Sequence, residues 1–140
     1  MSVQDCIFCR IIAGQVPCIK VYENDHVLAF LDIGPISEGH VLLIPKQHIC
    51  SVDQADYEIM VEIAKVLPML AGSIKSAMCA DGYNVLCNNG ASAGQVVSHL
   101  HIHIIPRNEN DGVFNRWPSF QYPADKAEAI AEKIRRNITL

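Results

Sequence analysis

His99-Leu100-His101-Ile102-His103 places three imidazoles within five residues of a chain that holds six histidines in all. At a spacing of two they cannot share a helix face, but in an extended strand all three project to one side. The intervening Leu100 and Ile102, with Ile104 after them, turn the other way, towards a core. The pattern predicts a strand with one buried apolar face and one row of ring nitrogens. Such a row can bind a metal, hold a phosphate, or supply a nucleophile with its electrostatic partners. The plainer alternative is a half-exposed strand whose outward polar residues happen to be histidines.

Cys6 and Cys9 form a Cys-x-x-Cys pair, a spacing suited to zinc or to redox chemistry. A redox pair is expected at a helix start after a sheet strand, and only five residues precede Cys6, so zinc is favoured. Two further ligands are then needed, and spacing alone does not choose among the histidines. Cys18, Cys50, Cys79 and Cys87 are scattered, as small buried residues or surface thiols are, and a disulfide framework belongs to small secreted domains. The loop Asn88 to Gln95 is rich in small residues, so its backbone N–H groups can approach an anion, unless it is simply a flexible connection.

These groups need positioning elements. Cys6 to Ile12 reads as a short helical turn, Ile19 to Glu23 and Val27 to Asp32 as a hairpin turning at Glu23 to His26, and His40 to Pro45 as a buried strand. Asp53 is the expected N-cap of a long helix running to about Cys79, with Ile59, Ile63, Val66, Leu67, Leu70, Ile74 and Met78 on one face and a kink at Pro68. Tyr83 to Cys87 is the next strand, and the histidine strand closes at Pro106. An irregular stretch with Trp117 leads to an amphipathic helix over roughly 124 to 137. Strands in runs, broken by one long helix, indicate an α+β fold with a mainly antiparallel sheet.

The length of 140 residues points to a single domain, 1–140, able to bury its own core. A formal net charge of −4 offers no broad cationic surface for nucleic acid or an anionic membrane, so any phosphate must be held at one local site. No apolar run has the length of a membrane span, and Met1 to Asp5 lacks the features of a signal peptide, which makes the cytoplasm the expected location.

Cys6-x-x-Cys9, Phe30-Leu31-Asp32-Ile33, the run Gly39 to His48, Asn88, Gly94-Gln95 and the His-x-His-x-His array with Pro106-Arg107 together resemble the histidine-triad (HIT) superfamily of nucleotide hydrolases and transferases. The resemblance covers about 5–107, leaving 108–140 as a C-terminal segment, and is to the bacterial-type branch that carries the cysteine pair. It implies a five-stranded antiparallel sheet and a two-fold homodimer. It also implies hydrolysis at the α-phosphate of adenosine 5′-phosphoramidates or dinucleoside polyphosphates, releasing AMP through a nucleotidyl-histidine. By that resemblance His101 is the nucleophile, and His103 and His40 hold the phosphate oxygens. Gly94 and Gln95 stabilise charge on phosphorus through their N–H groups, and the Gln95 side chain positions the leaving group or water. Asp32 takes the ribose hydroxyls, Asn88 lies near ribose and phosphate, and Phe8, Ile12, Phe30 and Ile33 sandwich a purine, adenine foremost. Cys6, Cys9, His48 and His99 make a structural Zn2+ site with no open position. The imidazole suits the task, since with a pKa of about 6.5 it is largely neutral and nucleophilic at neutral pH.

Val96 and Val97 depart from the pattern, for many relatives carry a hydroxyl residue there, and His26 fits only a turn. Two other classes stand beside the hydrolase. One is a nucleotide-binding or interaction module with little turnover, against which the complete set His40, His101 and His103 argues. The other is a metalloprotein holding a catalytic ion on His99, His101 and His103.

Overall fold

Val27 to Phe30 and Val41 to Pro45 are buried at every position, the mark of strands covered on both faces. The computed structural model describes residues 5–114, 118–124 and 126–139. Its elements run α1 (Ile7–Ile12), β1 (Lys20–Glu23), β2 (Val27–Leu31), β3 (Val41–Pro45), α2 (Tyr57–Ala77), β4 (Gly82–Leu86), β5 (Ile102–Arg107) and α3 (Lys126–Arg135). The strands form one antiparallel sheet in the order β1-β2-β3-β5-β4, as the family resemblance implies.

Alternation along β2 and β3 splits the core in two. Val27, Ala29, Val41 and Leu43 join Leu100, Ile102 and Ile104 beneath Ile59, Ile63, Val66, Leu70, Ala71 and Ile74 of α2. Leu28, Phe30, Leu42 and Ile44 point to the opposite face, where Cys6 and Phe8 cover them. Full burial of each such aliphatic side chain contributes about 1.5–3 kcal/mol, so α2 is held by its stripe and not by helix propensity alone. Leu67 and Met78 pack at the margin of the first cluster, as their spacing predicts.

Three boundaries differ from expectation. The N-cap of α2 is Asp56, not Asp53: its carboxylate accepts the Ile59 N–H at 2.9 Å, while Asp53 lies in a separate 3₁₀ turn, Val52–Gln54. Both residues suit a cap, and only the preceding turn decides which one meets the free amides. At the other end Cys79 adopts φ +49°, a left-handed conformation that stops the helix beyond Ala77. The helix continues through Pro68, an exposed position. The C-terminal helix is shorter than expected among the described residues and buries no side chain, and Trp117 lies outside the described residues.

One glycine explains itself sterically. Gly39 has φ +84°, and a Cβ there would meet Met78 Cγ at 2.6 Å and Pro106 Cγ at 3.2 Å. The backbone is therefore drawn close to β5 just before His40.

Asp56→Ala is expected to destabilise the protein by about 1 kcal/mol, whereas Asp53→Ala should stay within about 0.5 kcal/mol of the parent. Urea unfolding of the two variants checks the cap assignment.

Candidate functional site

The three triad histidines share one side of the chain, where Phe8 contacts the rings of both His99 and His101 and the His101 and His103 rings lie 4.9 Å apart. Strand β5 begins at Ile102, so His99 and His101 lie in the segment leading into it, where His99 N–H closes a turn to the Val97 carbonyl at 2.8 Å and Leu100 N–H donates to the Ile49 carbonyl at 2.7 Å. Leu100, Ile102 and Ile104 do face the α2 side of the core, as expected. The histidine side is not half-exposed, however: His99 is fully buried and His101 is 5% exposed. The N-terminal segment with α1 covers that face, and Phe8 packs edge-on against both His99 and His101. The imidazoles then diverge into two separate sites, which removes the arrangement in which His99, His101 and His103 share one ion.

In the first site His99 meets Cys6, Cys9 and His48. Its Nδ1 lies 3.5 Å from Cys6 Sγ, 3.6 Å from Cys9 Sγ and 3.3 Å from His48 Nδ1, and Cys9 Sγ is 3.2 Å from His48 Nδ1. A tetrahedral zinc with bonds of ~2.05 Å to nitrogen and ~2.3 Å to sulfur sets two nitrogens about 3.3 Å apart and a nitrogen and sulfur about 3.6 Å apart. The four donors lie within 4.8 Å of one another and can hold a metal ion. His99 Nε2–H donates to the Pro45 carbonyl at 2.8 Å, which leaves Nδ1 bare towards the thiols, the outer-shell arrangement of a ligating histidine. Burial lowers the His99 pKa to about 4, and burial beside Cys6 raises that of Cys9 to about 11, so each favours its neutral form until a cation compensates.

The second site uses His101, His103 and His40. His101 Nδ1–H donates to the His99 carbonyl at 2.6 Å, which leaves Nε2 as the bare nitrogen of the neutral ring. The His101 and His103 rings lie 4.9 Å apart, and His40 Nε2 is 2.9 Å from His103 Nδ1. His40 also stands 3.5 Å from the Asp32 carboxylate. Burial lowers the pKa of His40, partly offset by Asp32, and burial together with His101 and His40 lowers that of His103 to about 4. His103 Nε2 is buried and has no hydrogen-bond partner, alone among the described side chains.

Around these groups Phe8 and Phe30 meet edge to face at 5.6 Å, with Ile12 packed against the same cluster. Ile33 stands apart, fully exposed at 103% on the loop after β2. Asp32 is half-buried and accepts the Gly34 N–H at 2.9 Å. Asn88 reaches the Gly94 carbonyl at 3.5 Å. The N–H groups of Gly94 and Gln95 are spent within the loop, on the carbonyls of Ala91 and Gly90. The Gln95 carboxamide is engaged at both ends, accepting from Gly90 N–H and donating to the Cys50 carbonyl, each at 2.7 Å. Asn89 makes the reciprocal link by accepting the Val52 N–H at 2.8 Å. The segment Cys50–Val52 thus clasps the loop. Sequence reasoning misses it, because backbone carbonyls and amides carry no letter of their own. His26 lies in the hairpin turn, as expected, its carbonyl accepting the Lys46 N–H.

A fold of this topology with two histidine sites at one end of β5 defines a class, and the comparisons agree on it. The model of the HIT domain matches residues 13–110, and the chain belongs to that family. It is 42% identical over 134 residues to the adenosine 5′-monophosphoramidase hnt1 of Schizosaccharomyces pombe, covering 95% of this chain and 98% of that protein. It is 46% identical over 107 residues, 76% of this chain, to the adenylylsulfatase HINT3 of Arabidopsis thaliana, and spans about half (54%) of that longer protein. The crystal structure of a Zn-bound histidine triad family protein from Mycobacterium smegmatis is similar with a TM-score of 0.75 at 32% identity, covering 97% of this chain and all (100%) of that one.

Titration of the metal-free protein with Co2+ is expected to give one equivalent of tetrahedral absorption with a thiolate charge-transfer band. Cys9→Ser should weaken the band and Cys50→Ser should leave it in place, because Cys50 Sγ stands 4.0 Å from the far nitrogen of His48.

Proposed function

We propose that this chain hydrolyses adenosine 5′-phosphoramidates or dinucleoside polyphosphates at the α-phosphate, releasing AMP. The observation that carries the reading is the 2.6 Å bond from His101 Nδ1–H to the His99 carbonyl. It fixes the ring and leaves Nε2 as a nucleophile that needs no general base, in a chain nearly full-length similar to an adenosine 5′-monophosphoramidase.

His101 Nε2 attacks the α-phosphorus in line, the P–Nε2 bond forms, and the P–N or P–O bond to the leaving group breaks. The leaving group departs with the electron pair and takes up a proton from solvent. Water then attacks the nucleotidyl-histidine, a P–O bond replaces P–Nε2, the water proton returns to solvent, and AMP leaves with the neutral His101 restored. His103 Nε2–H donates to a phosphoryl oxygen throughout, and its burial makes that bond worth more than one in water. His40 supports His103, Asp32 accepts ribose hydroxyls, and Asn88 flanks ribose and phosphate. Phe8, Ile12 and Phe30 form the apolar seat of the purine, with Ile33 at its rim. Gly94 and Gln95 serve by shaping the loop beside the phosphate, since their own N–H groups are paired within it.

The metal at Cys6, Cys9, His48 and His99 is Zn2+ in this reading. A closed set of four protein ligands supplies structure, tying the N-terminal segment that covers His101 to the approach of β5. The protein acts in the cytoplasm as a homodimer. Exposed Val61 and Met69 of α2 and Tyr83 and Val85 of β4 offer the apolar surface for the second copy. Among the described residues no helix is long and apolar enough to cross a membrane.

Release of AMP from adenosine 5′-phosphoramidate, diadenosine tetraphosphate and adenylyl sulfate tests the reading directly. Wild type should turn over at least one, and folded His101→Ala should lose at least about 10³-fold in kcat. Absence of turnover on all three, with AMP still bound, would leave only a binding module.

A pH profile of stability provides a second check. His103 stays neutral in the folded state down to a pKa of about 4, whereas an unfolded histidine takes its proton near about 6.5. The unfolded state therefore binds protons first, and stability contributed by neutral His103 is full above about pH 6.5 and lost progressively down to pH 4. Comparing Tm against pH, His103→Asn should flatten this part of the slope relative to wild type.

A further inference from the structure

The wall of the second site carries a directed chain of hydrogen bonds that begins on the backbone. Ile36 N–H donates to His40 Nδ1 at 3.2 Å, so that nitrogen is bare. On the other side of the ring the Asp32 carboxylate lies 3.5 Å from His40 Nε2, and two acceptors facing one another are unfavourable, so the carboxylate also calls for a proton on Nε2. That proton points to His103 Nδ1, 2.9 Å away, which must then be bare in turn. The proton of neutral His103 is left on Nε2, the buried nitrogen with no partner. Buried donors without partners are rare in native proteins, and the described residues supply no acceptor for this one.

The donor at the head of the chain is firmly held. Asp32 N–H pairs with the His40 carbonyl at 2.9 Å, and Gly34 N–H with Asp32 Oδ1 at 2.9 Å. Ser37 Oγ–H donates to the Pro106 carbonyl at 2.8 Å, which fastens the loop 33–39 to β5. The opposite tautomer of His40 would set Nδ1–H against Ile36 N–H and a lone pair against the Asp32 carboxylate. Both neighbours oppose it.

We infer that the Ile36 amide, backed by the Asp32 carboxylate, selects the tautomers of His40 and His103, so that the site presents an N–H and not a lone pair to an anionic oxygen. Ile36 is a positioning residue that acts through two imidazoles, and its side chain is irrelevant to the role. The inference rests on the reading of His103 as the donor to the phosphoryl group. The same selection works against a metal on Asp32, His40 and His103, although their donor atoms lie within 4.8 Å of one another. An ion on His40 Nε2 would force the proton onto Nδ1, against the amide.

Histidine-labelled protein, observed through two- and three-bond proton–nitrogen correlations at pH 7.5, reads the tautomers directly, with signals assigned by single His→Asn replacements. His40 and His103 are both expected to carry the proton on Nε2 and to be bare at Nδ1. A proton on His103 Nδ1, or a mixture of tautomers, would overturn the inference. Ile36→Pro deletes the donor and should yield mixed His40 tautomers with roughly tenfold weaker binding of AMP by calorimetry. Unchanged tautomers in the folded variant would remove the amide from the account, and if that variant does not fold the wild-type spectra decide alone. The tautomers are read without turnover, so a failure of AMP release would strike the hydrolase reading and leave the spectra as they are.

Discussion

His99 is the residue on which both sites depend. Its Nε2–H is committed to the Pro45 carbonyl, its Nδ1 faces Cys6, Cys9 and His48, and its own carbonyl receives the proton of His101 Nδ1. One buried side chain thus takes part in a cluster able to hold a metal ion while one buried carbonyl orients the candidate nucleophile. Any shift of His99 is transmitted to His101 through the two peptide units that flank Leu100 and through the hydrogen bond from His101 Nδ1–H, because planar peptides leave the chain few soft dihedrals between them. The cluster and the His101 ring are mechanically one assembly.

Burial supplies the second constraint. A sheet covered on one face by α2 and on the other by the N-terminal segment places His40, His99 and His101 where unpaired polar groups are costly. The protein meets that cost by fixing each ring with a backbone group: Pro45 for His99, His99 for His101, Ile36 for His40. His103 Nε2 is left over. Among the buried side-chain polar atoms of the described residues, this is the one without a partner, and in the proposed reading it meets a phosphoryl oxygen.

Much of this was legible in the residues. The apolar periodicity of α2, the alternation of β2 and β3 and the inward Leu100, Ile102 and Ile104 follow from side-chain type and spacing. The family resemblance named the four residues that the structure brings together in a cluster able to hold a metal ion. The histidines share one side of the chain as their spacing predicts, but the spacing does not show that they divide between two donor sets, because the partners Cys6, Cys9, His48, Asp32 and His40 come from distant segments. The free N–H groups expected at Gly94 and Gln95 are paired. A tight 3₁₀ turn at Ala91–Ala93 folds the loop back on itself.

By itself the sequence determined which faces are apolar, how many strands and helices alternate, and that thiols and imidazoles are present in a spacing fit for metal and phosphate chemistry. These depend on side chains and local periodicity, which the order of residues states directly. The tertiary structure alone decided which backbone groups fix the histidine rings, which ring nitrogens keep their protons, and which aspartate caps α2. Those choices are made by backbone carbonyls and amides, identical at nearly every position, and only folding determines which of them stands beside which ring.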